Sequence, residues 1–179
     1  MSYDETRYQV AVANRILAAL GLASELTASV GHASMRVPEA PDKFLIKGRG
    51  YALDILSELG PQDMVLCDLE GNKLEAPDGV SQCYEVKMHS CIYRAFPEVQ
   101  SVVHAHPRFT ILMSVLDKRL RPMRNEGARL VQRAIPIYPH SKLILTDEDG
   151  SAVAETLKAH GRAALLKGHG AVTTGDSLE

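Results

Sequence analysis

The sequence has few of the features that mark secreted or membrane proteins. Its 179 residues include three cysteines and no tryptophan, and aromatic side chains make up 5% of the chain. Cys67, Cys83 and Cys91 are odd in number and lack C-x-x-C spacing, which predicts reduced thiols in a cytoplasmic protein. No apolar run reaches the length of a transmembrane helix. The acidic, polar start MSYDETRYQV is unlike a secretory signal.

The chain also lacks an excess of charge of either sign. Lys and Arg number 20 against 22 Asp and Glu, which gives a net charge of −2, and there is no basic run. This balance argues against nucleic acid and against an anionic membrane surface as partners. With 45% hydrophobic residues, the chain is long enough to bury the core of one domain.

Hydrophobic periodicity predicts helices that alternate with strands. Helices are expected over 4–20, 81–95, 108–117 and 149–160, the first with capping-box spacing between Ser2 and Glu5. Strands are expected in HASMRV, in KFLIKGRGY and over 101–106, with one hairpin around residues 70–72 and two strands joined at residues 168–170. The pattern predicts one α/β layered domain with a mixed or antiparallel sheet.

Two histidines stand at the end of an apolar run in SVVHAHPRFT. In a strand, His104 and His106 would face the same side, and Pro107 would end the strand at that point. Neutral imidazole is the commonest metal ligand in proteins. The spacing therefore predicts either a metal site or a hydrogen-bonded pair of histidines at a strand end.

Two further residues extend this candidate site. His169 is flanked by Gly168 and Gly170 after an apolar run, which is typical of close backbone approach and equally of a tight-turn histidine. Glu85 falls inside the helix predicted before the histidine strand, where a buried carboxylate needs a partner. Three histidines and a carboxylate suit a divalent first-row metal, and the carboxylate can act as acid or base. His89, four residues after Glu85, is expected in the core or behind the ligands.

The ordered segments GHASMRV, FLIKGRG, MVLCDLEG, CYEVKMHSCIYRAFPEVQSVVHAHP and LLKGHGAVTTGDSLE resemble the class II aldolase/adducin family. The resemblance implies a three-layer α/β/α fold with a central, mainly antiparallel sheet. It implies a divalent metal, most often zinc, with Mn, Co or Fe as alternatives, on His104, His106 and His169. Glu85 matches the family's acid/base glutamate. Family members are commonly tetramers with sites between subunits, so we expect a homo-oligomer. The family continues into C-terminal helices, so residues 1–179 are expected to form a single domain without them.

The chain departs from the resemblance where sugar-phosphate members bind phosphate. The hydroxyl and amide groups of that cradle are replaced by His32, Arg49 and the pair Cys83-Tyr84. Lys47 and Arg49, two apart, suit an anion, and an arginine can hold a planar carboxylate through two hydrogen bonds. The alternative is that both are solvated surface cations. The predicted substrate-binding residues are His32, Lys47, Arg49, Gly50 and Tyr84.

These departures favour a small-molecule carboxylate as the substrate. The first interpretation is a metal-dependent, non-oxidative decarboxylase of a hydroxylated aromatic or ring-cleavage acid. The second is a class II aldolase or epimerase acting on a hydroxy-keto acid or a sugar phosphate. The third is an Fe(II) oxygenase on the same fold. A non-catalytic adducin-like module would lose its ligands, whereas all four candidate ligands are present here.

Overall fold

The computed structural model describes residues 3–23, 31–49 and 55–178. Ser2 of the predicted capping box and Gly50 of the predicted substrate site lie outside these ranges. The helices are α1 (Asp4–Ala19), α2 (Val86–Ala95), α3 (Arg108–Val115), α4 (Asn125–Val131) and α5 (Asp147–Lys158). The strands are β1 (His32–Val37), β2 (Ala40–Arg49), β3 (Met64–Asp68), β4 (Lys73–Glu75), β5 (Ser81–Gln82), β6 (Ser101–Ala105), β7 (Ile137–Tyr138), β8 (Ala163–Leu166) and β9 (Gly170–Gly175).

The strands of the described ranges form one nine-stranded sheet. Its order is β4-β3-β2-β1-β6-β9-β8-β7, and β5 pairs with β2 at one side of this path. Every pairing is antiparallel except β7 with β8. No helix within the described ranges is both long enough and apolar enough to span a bilayer.

Helices cover both faces of this sheet. Along β2, Phe44 and Ile46 belong to a core shared with α2 and α5, whereas Leu45 packs with Val10 and Ala11 of α1. Successive side chains of a strand point to opposite faces, so this alternation buries both sides of the strand. The predicted three-layer α/β/α fold with a mainly antiparallel sheet is confirmed.

The two helices on one face of the sheet pack closely because a glycine stands at their contact. A Cβ atom at Gly150 in α5 would lie 2.5 Å from the carbonyl oxygen of Lys87 in α2. Asp147, in the first turn of α5, forms ion pairs with Lys87 at 2.7 Å and with Arg94 at 2.5 Å. These contacts fix α2, whose first turn faces the site described below.

The helix predicted over 81–95 begins later than expected. Residues 81–82 are extended in β5, where Gln82 pairs with Gly48 and Ser81 pairs with Arg49 of β2. The pairing with a neighbouring strand overrides helix propensity there. Glu85 therefore precedes the first residue of α2 instead of lying inside the helix.

Candidate metal centre

Three histidines from two parts of the chain bring their rings together at the end of β6. His104 is buried in the strand, and His106 follows it by two residues. Their Nε2 atoms lie 2.8 Å apart. His169 enters from the turn between β8 and β9, and one nitrogen of each ring lies within 4.8 Å of the others. The antiparallel pairing of β6 with β9 is what brings the turn beside the strand end.

Backbone carbonyls set the tautomers of two of these rings. Nδ1 of His104 lies 3.0 Å from the carbonyl oxygen of Ala171, and Nδ1 of His169 lies 3.0 Å from that of Lys142. A carbonyl oxygen only accepts, so both Nδ1 atoms carry the proton and donate. In the neutral rings, Nε2 then offers a lone pair, which is the arrangement found for metal-bound histidines.

One of these lone pairs is left without a partner. Nε2 of His169 is buried and has no hydrogen bond to any residue in the described ranges. Buried polar atoms in folded proteins are satisfied in the great majority of cases. A metal ion bound by His104, His106 and His169 would satisfy this nitrogen, so the donor set fits a divalent cation.

Gly170 allows the turn to approach the histidine strand. A Cβ atom there would lie 2.5 Å from the carbonyl oxygen of Ala105, 2.9 Å from Cδ2 of His106 and 3.1 Å from Cε1 of His104. Any side chain would therefore push the turn away from both rings. The sequence predicts that the backbone at this glycine lies close to another group. In the structure, the rings of His104 and His106 lie there.

Glu85 turns one carboxylate oxygen to the backbone and the other to the histidines. Its side chain is buried, and Oε1 accepts a hydrogen bond of 2.9 Å from the amide of Ile144. Oε2 lies 3.5 Å from Nε2 of His104 and 3.4 Å from Nε2 of His169. The amide thus orients the carboxylate so that one oxygen remains available to the centre.

The charge states complete the donor set. Burial by itself would raise the pKa of Glu85, but the surrounding imidazoles of His169, His32 and His104 hold that pKa far below its usual range. Burial lowers the pKa of His104 well below its ordinary value, and burial lowers the pKa of His106 to about 4. Neutral imidazoles beside an ionised carboxylate are the forms that bind a cation.

His32 lies on the other side of the same space. It opens β1 directly opposite His104 in the antiparallel register, with 5.0 Å between the ring centroids. Its Nε2 is 3.8 Å from Oε2 of Glu85. Burial lowers the pKa of His32, and the positive charge of Lys47 lowers it further, whereas Glu85 raises it. The structure therefore brings this predicted substrate-binding residue beside the predicted ligands.

The predicted anion-binding cations occupy two different environments. The Lys47 side chain is fully buried, so the alternative of a solvated surface cation is wrong for this residue. Arg49 is half-buried, and its guanidinium carbon lies 3.9 Å from the ring centroid of Tyr84. Tyr84 is itself exposed. A cation over an aromatic face at this distance is attracted to the ring and held in orientation.

His89 lies behind the centre, and it brings a residue that the sequence reasoning missed. Its Nε2 is 2.7 Å from Nδ1 of His32, and its Nδ1 is 2.6 Å from Oγ of Ser34. Ser34 follows His32 by two residues in β1 and so faces the same side of the sheet. That i, i+2 spacing is the signal that could have identified it.

The chain is similar in sequence to known proteins along nearly its whole length. The family model of the class II aldolase and adducin N-terminal domain matches residues 8–179. The chain is 31% identical, over its full length, to a 3,4-dihydroxyphthalate decarboxylase from Arthrobacter keyseri, of which it covers 73%. It is 29% identical, over 97% of its length, to a 4-hydroxy-3-prenylphenylpyruvate oxygenase/4-hydroxy-3-prenylbenzoate synthase from Streptomyces roseochromogenus subsp. oscitans, of which it covers 60%.

A solved structure shares both the fold and part of the sequence. The L-fuculose-1-phosphate aldolase from Thermus thermophilus matches with a TM-score of 0.72 at 32% identity, over 96% of this chain and 80% of that one. Because the family model matches almost the whole chain and the fold agrees with it, the protein belongs to the class II aldolase and adducin family.

Proposed function

We propose that the protein is a metal-dependent carbon–carbon lyase, and specifically a non-oxidative decarboxylase of a hydroxylated aromatic or ring-cleavage carboxylic acid. The observation that carries this proposal is the pairing of a histidine–glutamate donor set with Arg49 stacked on Tyr84, where a sugar-phosphate enzyme would have small hydroxyl side chains. The similarity to a 3,4-dihydroxyphthalate decarboxylase supports the same substrate class.

His104, His106 and His169 would hold the metal, with zinc the first choice and Mn, Co or Fe the alternatives. A divalent ion in this position supplies a Lewis acid that draws electron density from a substrate oxygen. Two of the three rings already have the required tautomer through bonds to the carbonyl oxygens of Ala171 and Lys142.

Glu85 is the residue we assign to proton transfer. Its depressed pKa keeps it ionised before substrate binds, so it first accepts a proton, and the substrate hydroxyl is the group that can supply one. It then gives this proton to the ring carbon that carries the carboxylate. The bond from that carbon to the carboxylate breaks, its electron pair returns to the ring, and CO2 leaves. The hydroxyl oxygen, left as an anion, regains a proton from water, so the net change is one carboxylate replaced by one hydrogen, without an oxidant.

Arg49 is the residue we assign to the substrate carboxylate. The stack on Tyr84 restricts the guanidinium, and a planar fork can donate two parallel hydrogen bonds to a carboxylate. Buried Lys47, two residues earlier in β2, adds positive charge on the side of His32. An acid would thus be held by its leaving carboxylate while its hydroxyl faces Glu85.

The test is a panel of hydroxylated aromatic acids, hydroxymuconate-type acids and sugar phosphates, offered to the zinc-loaded and manganese-loaded protein. Release of CO2 is expected from an aromatic or ring-cleavage acid. Glu85→Gln should keep the fold and most of the binding but lower turnover by about 10²–10⁴-fold, the usual contribution of a positioned acid/base. Efficient turnover of sugar phosphates alone would make the ordinary aldolase or epimerase assignment correct instead.

Arg49→Ala should raise KM for the acid more than it lowers kcat. Loss of a hydrogen-bonded charged partner corresponds to about 1.5–3 kcal/mol, or roughly 10–100-fold in affinity. The matched control is Arg49→Lys, which keeps the charge but loses the planar guanidinium. Its KM should lie between that of the unaltered protein and that of Arg49→Ala. Equal KM in all three proteins would remove Arg49 from the substrate site.

Two alternative activities have support of their own. An aldolase acting on a hydroxy-keto acid or a sugar phosphate is favoured by the 32% identity to the L-fuculose-1-phosphate aldolase. An Fe(II) oxygenase is favoured by the similarity to the prenylphenylpyruvate oxygenase. Aldehyde release in the same panel would identify the first, and oxygen consumption by the iron-loaded protein would identify the second.

We also propose a homo-oligomer with the site near a subunit contact. Large apolar side chains are exposed on α3 and on the segment after it: Phe109 is 76% exposed and Met123 is 95% exposed. These two side chains and Met113 line a groove of about 630 Å³. A second copy of the chain would cover this surface. Sedimentation of an active monomer would contradict the proposal.

A further inference from the structure

A chain of hydrogen bonds leads from the centre to the last turn of α2. Nδ1 of His32 is 2.7 Å from Nε2 of His89, and Nδ1 of His89 is 2.6 Å from Oγ of Ser34. Oγ of Ser34 is 2.8 Å from the hydroxyl oxygen of Tyr93. All four side chains are buried, so we call His32, His89, Ser34 and Tyr93 the buried relay.

The direction of donation in the buried relay can be read from its Tyr93 end. Within the described ranges, the Tyr93 hydroxyl has one hydrogen-bond partner, Oγ of Ser34. A buried O–H without an acceptor is costly, so the Tyr93 O–H donates to Ser34. The Ser34 O–H in turn donates to Nδ1 of His89.

The His32 end of the buried relay gives the same direction. A neutral imidazole has one protonated nitrogen and one accepting nitrogen. With Nδ1 of His89 accepting, its Nε2–H donates to Nδ1 of His32, and Nε2 of His32 carries the other proton. That Nε2 faces Oε2 of Glu85, an ionised carboxylate oxygen that can only accept. A bare nitrogen there would set its lone pair against that oxygen, so the His32 end favours the same order of donors.

We propose that the buried relay holds His32 in the tautomer that presents an Nε2–H donor to the substrate site, where it binds an anionic oxygen of the substrate. This inference deepens the proposed function and rests on it for the identity of the site. The distance of 3.8 Å from Nε2 to Oε2 of Glu85 is beyond a normal hydrogen bond, so the donor remains available to a ligand. His89, Ser34 and Tyr93 are positioning residues, because they act through His32.

A buried arginine keeps the distal end of the buried relay in place. The guanidinium carbon of Arg36 lies 4.9 Å from the ring centroid of Tyr93, and Nη2 donates 2.9 Å to the carbonyl oxygen of Tyr93. The other nitrogens donate to the carbonyls of Val99 and Pro41. The tyrosine is thus held through its ring and its backbone, and its hydroxyl stays against Ser34.

The first experiment measures the tautomer directly. Nitrogen-15 NMR of histidine-labelled, zinc-loaded protein distinguishes protonated from unprotonated ring nitrogens, and the His32→Gln spectrum identifies the His32 signals. We expect His32 to show a protonated Nε2 and an unprotonated Nδ1. A proton on Nδ1 with a bare Nε2 would overturn the proposal, and this result does not depend on any variant other than the one used for assignment.

The second experiment separates donation from packing at position 89. Gln and Met are similar in size, but only Gln can donate a hydrogen bond to Nδ1 of His32. We expect His89→Gln to retain kcat/KM within about threefold and His89→Met to lose roughly tenfold, with equal zinc content in both. Equal activity of the two variants, or an unchanged His32 spectrum in His89→Met, would refute the relay.

A further pair covers the case in which His89→Met does not fold. Tyr93→Phe removes only the terminal hydroxyl and should shift the Nδ1 signal of His89, whereas Tyr138→Phe, at another buried tyrosine, should not. An unchanged spectrum in Tyr93→Phe would refute the relay. If the His32 tautomer is as expected but no acid is decarboxylated, the proposed function fails while the buried relay stands.

Discussion

Gly170→Ala is the substitution that probes the candidate metal centre with the smallest chemical change. The new Cβ atom would lie 2.5 Å from the carbonyl oxygen of Ala105 and within 3.1 Å of atoms of both His104 and His106. An ordinary contact of this kind is about 3.5 Å, so β9 must move away from β6 by close to 1 Å. Such a shift is large against the spacing of about 4.8 Å between paired strands.

The expected magnitude follows from that movement. Overpacking by one methyl group in a tight site costs roughly 1–3 kcal/mol, which lowers Tm by about 2–12 °C for a domain of this size. Displacement of groups that orient metal ligands typically weakens metal binding by about 10–100-fold. Zinc affinity measured by chelator competition and thermal unfolding of the metal-free protein separate the two effects.

A matched control is available at Gly127 in α4, where an added Cβ meets no atom of the described residues within 4 Å. Gly127→Ala should leave zinc affinity unchanged and stabilise slightly, because alanine is the better helix former. If Gly170→Ala binds zinc within about twofold of the unaltered protein, the glycine does not position the histidines and our account of the turn is wrong.

Two other predictions address ligation and stability. His104→Ala should remove most of the bound metal, measured by elemental analysis, while the fold survives. The control His160→Ala should keep the metal, because the His160 ring is hydrogen-bonded to the carbonyl oxygen of Leu130 instead. Lys87 and Arg94 lower the pKa of Asp147 to about 2, so its contribution to the free energy of unfolding is complete above about pH 4 and is lost as the pH falls towards 2. Asp147→Asn should therefore lose stability relative to the unaltered protein near pH 6 but much less below pH 2, measured by denaturant unfolding; an equal difference at both pH values would contradict this.

Local patterns in the sequence predict much of the sheet and part of the site. The strand over 101–106 and the pair of strands around the GHG turn are found close to their expected positions, since apolar runs bounded by proline or glycine are strong signals. The first helix, expected over 4–20, is Asp4–Ala19. The proximity of His104 and His106 also follows from strand geometry alone.

Other parts of the site depend on contacts between distant segments. The position of Glu85 before α2 results from the pairing of β5 with β2, and its orientation depends on an amide from the loop before α5. The bond between His32 and His89 joins residues 57 positions apart, so it requires α2 to be packed on β1. The short helix α4 carries no buried residue and therefore leaves no apolar periodicity to detect.

The packing of α2 restricts how the length of this region can change. The helix is ten residues long, with Glu85 immediately before it and Tyr93 in its last turn against Arg36. Its two ends are tied to different partners, the amide of Ile144 and the guanidinium of Arg36. Inserting one residue between His89 and Tyr93 would rotate one part relative to the other by about 100° and lengthen the helix by about 1.5 Å. Loops elsewhere can gain or lose residues. An insertion or deletion within α2, however, would separate Glu85, the residue assigned to proton transfer, from the Nε2–H donor of His32.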